Sequence, residues 1–371
     1  MPEKARYIMI GGFLGAGKTT AILRLADFLA AKGQRVGLIT NDQSVGLVDT
    51  AMLASHGFPV EEITGGCFCC RFHSLTEAAD RLAADETPEV FIAEPVGSCT
   101  DLRASVTYPL RAMYGDRFEV APLSVLVDPV RAARVLGIEP GRSFTEKVLY
   151  VYSKQLEEAD LIVINKTDLL DAGRIDALRE ALATRYRQAE VLVISARTGQ
   201  GLESWFERIL SSTAASAAAM DLDYEIYAEG EALLGWLNTS VRLSSAQPFD
   251  GNSLVQAIGE RIHGRLARFG FEVAHLKMVL TPSEEAGDLA VANLVRSDGR
   301  LEFSHTLREP LDAGELLLNL RAEGDPDTLR EEAAAAVESA AQSLGGVSAM
   351  IEHTESFRPA KPQPTYRLAV G

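Results

Sequence analysis

The chain has 371 residues, 52 acidic against 36 basic, and a formal net charge of −16. That length is enough for two domains with substantial cores, and an acidic chain without a basic stripe is excluded from binding nucleic acid through its phosphates. No apolar run approaches the ~20 residues that cross a bilayer, and the first strand starts too early to leave room for a signal peptide, so a cytoplasmic protein without membrane contact is expected.

The first predicted element is an apolar strand, Tyr7–Ile10, which leads into Gly12-Phe13-Leu14-Gly15-Ala16-Gly17-Lys18-Thr19. This is a full match to G-x-x-x-x-G-K-[ST]. A helical pattern follows to about Lys32 and stops at Gly33. Strand, glycine-rich loop and helix in that order aim backbone N–H groups and a helix N-terminus at one polyphosphate. The phosphate-binding positions are Gly12, Gly15, Gly17, Lys18, Thr19 and Thr20. Lys18 would reach the β- and γ-phosphates, and the Thr19 hydroxyl would hold Mg²⁺.

Further apolar runs at Val36–Thr40, Val90–Ala93, Ser124–Val127, Leu161–Asn165 and Val191–Ile194 read as strands. Helical patterns fall near Leu75–Ala84, Asp101–Met113, Glu146–Glu157, Ile175–Arg185 and Leu202–Leu210. Strands that are apolar throughout, without two-residue alternation, predict a mostly parallel sheet covered on both faces, an α/β P-loop NTPase fold. Such sheets bind ligands beyond the carboxyl ends of their strands.

After the second strand come Thr40-Asn41-Asp42-Gln43 and then Asp49. One of Asp42, Gln43 and Asp49 is expected to face the metal-bound phosphate, with helix capping or simple solvation as the competing role of each acid. Next is Gly65-Gly66-Cys67-Phe68-Cys69-Cys70, which holds three of the four cysteines. That crowding does not suit a disulfide framework. Thiolates bind Zn²⁺, Co²⁺ or Cu⁺, and two glycines permit a turn tight enough to converge Cys67, Cys69 and Cys70 on one transition-metal ion. Arg71 and the following helix N-terminus favour the thiolate. Three sulfurs leave a tetrahedral ion with an open position, which suits passing metal on. His73 and Cys99 are candidates for a fourth ligand, and buried inert thiols are the competing reading.

Glu94 ends the third strand of this series and Gly97 follows it. The Glu94 carboxylate would act on Mg²⁺ or its water, and the Gly97 N–H would meet the γ-phosphate, so Lys18, Glu94 and Gly97 are the candidate catalytic groups. Asn165-Lys166-Thr167-Asp168 is N-K-x-D at a strand end. An Asp carboxylate there accepts from the ring N1–H and exocyclic amine of guanine, a donor pair adenine lacks, while the Lys stem covers the base. Ser195-Ala196, at the next strand end, offers backbone to the guanine oxygen. GTP is therefore favoured over ATP. No arginine stands in a switch position to stabilise the transition state, so slow intrinsic turnover is expected.

Residues 211–220 are small and almost uncharged and read as a linker between a domain at 1–210 and one at 221–371. Candidate strands beyond it are Tyr224–Ala228, Val273–Leu280, Leu289–Ser297, Leu301–Leu307 and Leu316–Ala322, with helices near Ser253–Phe269 and Thr328–Leu344. This is a smaller α+β domain, with a ferredoxin-like arrangement among the candidates. Its tail, Arg358–Arg367, contains three prolines and is expected to be extended.

Together, Gly11–Thr20, the Gly-Gly-Cys-Phe-Cys-Cys run, Glu94 with Gly97, and Asn165–Asp168 resemble the CobW-type GTPases, relatives of the nickel-insertion GTPases of urease and hydrogenase. The resemblance spans roughly residues 6–210. It implies a metallochaperone or metal-centre assembly factor, in some members tied to cobalamin synthesis, with Cys67, Cys69 and Cys70 taking the metal. The chain departs from the family pattern in having Asn41-Asp42-Gln43-Ser44 where Asn-Glu-Phe-Gly is usual, Pro95-Val96 after Glu94, an extra Cys99, and no histidine-rich stretch. The expected function is a GTP-hydrolysing metallochaperone that carries Zn²⁺, Co²⁺ or Ni²⁺ to a client protein. The alternative is a nucleotide switch that activates a corrinoid- or metal-dependent enzyme without transferring metal. A homodimer is compatible with either.

Overall fold

The computed structural model describes residues 4–42, 48–84, 87–214, 216, 218–283 and 288–369. Gln43 and Ser44 lie outside them. The chain divides into two compact units, one of Met1–Val45, Met52–Gly230 and Lys361–Gly371, the other of Gly46–Ala51 and Glu231–Ala360.

In chain order the elements up to residue 233 are β1 (Ala5–Gly12), α1 (Lys18–Ala31), β2 (Val36–Asn41), α2 (Val48–Ser55), β3 (Val60–Ile63), α3 (Phe72–Leu82), β4 (Val90–Glu94), α4 (Tyr108–Tyr114), β5 (Phe118–Val120), β6 (Ser124–Val127), α5 (Pro129–Val135), α6 (Glu146–Glu158), β7 (Leu161–Ile164), α7 (Ala172–Arg185), β8 (Glu190–Val193), α8 (Leu202–Ser211) and α9 (Tyr224–Leu233). The sheet runs β3-β2-β4-β1-β6-β7-β8, with β5 also on β1. Every pairing in it is parallel. Strands β1, β2, β4, β6 and β7 are buried over almost their whole length, which is why they read as unbroken apolar runs. The helix expected over Asp101–Met113 begins with one wide i→i+5 turn, Arg103–Thr107, before α4.

Tyr224–Ala228 corrects the sequence reading: it is the start of helix α9, not a strand. Alternation in Tyr-Glu-Ile-Tyr-Ala fits both periods. Helical spacing wins because it brings Tyr224 and Tyr227 together, with ring centroids 5.9 Å apart, and buries Tyr227 against Val151 and Leu222.

The second unit continues with β9 (Leu234–Phe249), α10 (Gly251–Phe269), β10 (Glu272–Pro282), β11 (Ala290–Leu294), β12 (Glu302–His305), β13 (Leu311–Glu323), α11 (Pro326–Ser343) and β14 (Val347–Phe357). Its six-stranded sheet has the order β12-β11-β10-β13-β9-β14 and is antiparallel throughout. The path β9-α10-β10-β13-α11-β14 is a ferredoxin-like βαββαβ core, with the β11–β12 hairpin inserted between its second and third strands. Leu237, Val241, Leu276, Met278, Leu318 and Leu320 form a core with Ile258, Ile262, Ala336 and Val337 of the two helices. On the other face Arg321, 1% exposed, lies 4.0 Å from the Trp236 ring and donates to Asn238. The Val48 N–H donates to Asn319 Oδ1 at 3.0 Å, and Lys277 is paired with Asp49. Asp49 is thus paired with a lysine of β10.

Two helical glycines make opposite predictions. A Cβ on Gly230 of α9 would lie 2.3 Å from the Lys147 carbonyl oxygen, whereas one on Gly264 of α10 meets nothing within 4 Å. Urea unfolding should show Gly230→Ala destabilised by about 1–3 kcal/mol and Gly264→Ala stabilised by about 0.4–1 kcal/mol.

Candidate functional site

The glycine-rich loop joins β1 to α1 and is held in shape by its glycines. Gly12 has φ +131° and Gly17 φ +87°, in the region that disfavours side chains. A Cβ at Gly12 would fall 2.3 Å from the Leu126 carbonyl oxygen, and one at Gly17 would fall 2.6 Å from Asn165 Nδ2. Lys18 and Thr19 open α1 and are buried. Because β4 pairs with β1, Glu94 comes to the same point: the Thr19 hydroxyl donates to Glu94 Oε1 at 3.2 Å and Lys18 Nζ stands 3.7 Å from it. The three residues assigned to phosphate and Mg²⁺ from sequence are therefore brought together. Arg131, which sequence reasoning passed over, donates to the Leu14 carbonyl of the loop and packs over Phe13 and Phe144. Its only sequence signal was its place just after a strand end.

The N-K-x-D turn sits against this loop because β7 is two strands from β1. Asn165 Nδ2 donates to the Ala16 carbonyl at 2.9 Å, and its Oδ1 accepts from the Lys166 and Ala196 N–H groups. Lys166, in the left-handed region at φ 56°, donates to the Gly15 carbonyl and pairs with Asp128 at 3.1 Å. Asp168 Oδ1 accepts from the Ser195 hydroxyl at 2.6 Å. The Ala196 N–H is turned onto Asn165, so in this arrangement it shapes the turn.

Beyond Glu94 the chain makes a tight turn in which the Cys99 N–H donates to the Val96 carbonyl at 2.9 Å. Gly97 is pressed on the phosphate loop, where an added Cβ would lie 2.6 Å from Leu14 Cδ2. Gln155 Nε2 of α6 donates to both the Gly97 and the Cys99 carbonyls, at 2.9 and 2.8 Å. Glu158, also on α6 and buried, accepts from the Thr100 hydroxyl and the Arg103 N–H. Burial pushes its carboxyl from 4.5 up to about 8, against the opposing pull of the Arg103 N–H.

The cysteine loop hangs from the end of β2. Asn41 donates to the Ile63 and Gly66 carbonyls and accepts from the Phe68 N–H at 2.8 Å. The Asn41 side chain thus positions the cysteine loop. The Sγ atoms of Cys67 and Cys69 are 2.7 Å apart, and Cys70 lies 3.3 Å from Cys67 and 3.7 Å from Cys69. Cys67, Cys69 and Cys99 form the group whose sulfurs all lie within 4.8 Å of one another, and all three are buried. Hydrogen bonding with Cys69, Cys70 and Cys99 holds Cys67 well below the ordinary thiol range, while hydrogen bonding with Cys67 pushes Cys69 well above it and Cys70 up to about 11. A crowded set of cysteine sulfurs is a donor set that fits a soft or borderline cation.

His73 is not in that group; its Nε2 lies 3.1 Å from the Tyr366 hydroxyl. The extended tail runs along the cysteine loop, a placement nothing in its own sequence announces. The Gln363 N–H donates to Cys70 Sγ, Thr365 binds the Cys69 and Cys70 carbonyls, and Arg367 pairs with the buried Asp101 at 2.7 Å.

A glycine-rich phosphate loop, a guanine-type turn and a parallel sheet with β1 central define a P-loop nucleotide-binding protein. The family model of the CobW/HypB/UreG nucleotide-binding domain matches residues 6–193, just over half of the chain, and the chain belongs to that family. It is 29% identical over 214 residues to a zinc chaperone CobW of Sinorhizobium, covering 52% of this chain and 59% of that one. It is 31% identical over 166 residues to the zinc chaperone YeiR of Escherichia coli, covering 44% and 47%. The chain thus spans about half the length of these curated relatives. A HypB structure from Helicobacter pylori in complex with nickel aligns at a TM-score of 0.42 and 19% identity, covering 56% of this chain and 87% of that one. No helix among the described residues is long and apolar enough to cross a membrane.

The buried Glu158 predicts a pH dependence. Its folded pKa is raised, so its stabilising effect is complete below the ordinary carboxyl value and is lost as pH rises through about 8. Denaturation between about pH 5 and pH 9 should show stability falling by up to ~1.4 kcal/mol per pH unit from this group, and Glu158→Gln should remove that part of the slope.

Proposed function

We propose that this chain is a cytoplasmic GTP-hydrolysing metallochaperone that binds Zn²⁺ or Co²⁺ at its thiol cluster and delivers it to a client protein. The observation that carries this reading is the convergence of buried thiols, Cys67 and Cys69 on a loop hung from the end of β2 and Cys99 on the turn beyond β4. The names of the zinc-chaperone relatives support it.

Lys18 and the loop N–H groups bind the β- and γ-phosphates, Thr19 and Glu94 serve Mg²⁺ or its water, and Gly97 meets the γ-phosphate. Water attacks the γ-phosphorus, the bond to the β–γ bridging oxygen breaks, and GDP and phosphate leave. Asp168 reads the two guanine donors and Lys166 covers the base. Metal taken up as cargo displaces the thiol protons of Cys67, Cys69 and Cys70, and nucleotide-dependent movement of the surrounding loops releases it. The deep burial of Cys67 and Cys69 favours one second reading, a switch that senses metal and activates a metal- or corrinoid-dependent enzyme without handing metal over.

Asp168→Asn should lose guanine affinity and gain xanthine affinity, because a carbonyl replaces the exocyclic amine; competition binding of GDP and XDP checks it. In an anaerobic titration, Cys67→Ala or Cys69→Ala should abolish tight Zn²⁺ binding while GTP still binds, and unchanged metal affinity would reject the thiol assignment. Transfer from loaded protein to an apo-acceptor separates the chaperone from the sensor.

A further inference from the structure

Cys99 converges with Cys67 and Cys69, and Cys70 stands beside the latter two, yet these sulfurs hang from two different supports. Cys67, Cys69 and Cys70 belong to the loop that Asn41 ties to the end of β2. Cys99 belongs to the Val96–Cys99 turn beyond β4, and that turn leans on the phosphate loop at Gly97 and Leu14. The Gln155 amide joins the two ends of the turn, since its Nε2 binds the carbonyls of Gly97 and Cys99 alike. Gln155 is buried, so its two donors have no water to exchange with and hold the turn as one stiff piece.

We propose that Cys99 is the fourth metal ligand and the one through which nucleotide reaches the metal, with Gln155 as the positioning residue that ties it to Gly97. The inference rests on the metal-binding reading above and adds to it a specific ligand and a route. A tetrahedral thiolate site with bonds of ~2.3 Å holds its sulfurs roughly 3.8 Å apart; Cys99 lies within 4.8 Å of Cys67 and Cys69, and Cys70 lies 3.3 and 3.7 Å from those two. When Gly97 moves to meet a γ-phosphate, the Val96–Cys99 turn moves with it, while the other three thiols stay with Asn41. A shift of about 1 Å at Cys99 lengthens a ~2.3 Å bond beyond use. Its sulfur then leaves the ion and takes back a proton, and water or a donor from the receiving protein fills the open position. The site alternates between a closed set of four sulfurs and an open set of three. Cys70, half-buried and bonded to the Gln363 N–H, stands where an incoming ligand would arrive.

The test uses the full chain loaded anaerobically with Co²⁺, with and without Mg²⁺ and a non-hydrolysable GTP analogue, reading thiolate-to-cobalt charge transfer and the tetrahedral d–d bands. Wild type should lose about a quarter of its charge-transfer intensity in one nucleotide state, with Co²⁺ affinity changing roughly 5- to 150-fold between states. Cys99→Ser should give the lower intensity in both states and an affinity blind to nucleotide. Gln155→Leu should keep the four-sulfur spectrum and lose its nucleotide dependence. X-ray absorption of the zinc-loaded wild type counts sulfurs without any variant, and four are expected. Three sulfurs, or a Cys99→Ser protein with wild-type spectrum and wild-type nucleotide dependence, would overturn the inference and leave the three-thiol reading standing. A wild type with no thiolate band at all would instead bring down the metal-binding reading itself.

Discussion

Parallel alignment of β1 with its neighbours is the constraint on which the rest of the site depends. Thr40 stands opposite Glu94, Met9 opposite Ala93 and Val127 opposite Ile164. In a parallel sheet all strands leave from one edge, so the phosphate loop, Asn41, Glu94, Asp128 and Asn165 emerge side by side. The close packing of that edge leaves no room for a Cβ at Gly12, whose place is taken by the Leu126 carbonyl. Any slip of β4 against β1 would separate Glu94 from Lys18 and Thr19.

Buried neutral amides do most of the joining. Asn41 fastens the cysteine loop, Asn165 fastens the guanine turn to the phosphate loop, and Gln155 fastens the turn that carries Gly97 and Cys99. An amide offers two donors and an acceptor without a charge to desolvate. Each bond contributes only ~0.5–1.5 kcal/mol net, but removing the side chain leaves buried carbonyls unsatisfied, which costs ~1–3 kcal/mol each. These residues therefore fix loop position and contribute to stability together.

Electrostatics around the sulfurs follow from the same crowding. Several thiols crowd a buried place, so Cys67 ionises more readily than an ordinary thiol and Cys69 resists ionising. A divalent cation removes that frustration by replacing protons with a charge that every sulfur can share. Asp101, two residues beyond Cys99, is paired with Arg367 of the tail.

The P-loop, the N-K-x-D turn, the Cys67–Cys70 run and the buried parallel strands were all legible in the sequence, because each is a local pattern whose chemistry lies within a few consecutive residues. Elements defined by distant partners were not. Strand β9 was missed because Asn238 and Thr239 interrupt its apolar run, and their partners, Asn319 and Arg321 of β13 and Thr354 of β14, are distant in sequence. Strand β14 is an exposed edge with little apolar signal. Tyr224–Ala228 became a helix when α6 offered its Tyr227 a place beside Val151. The sequence by itself thus determined the nucleotide chemistry and the presence of a thiol cluster. Only tertiary structure decided that Asp49 belongs to Lys277, that Cys99 joins Cys67 and Cys69, and that the tail lies along them, because these contacts link residues tens to hundreds of positions apart and exist only once the sheets have formed.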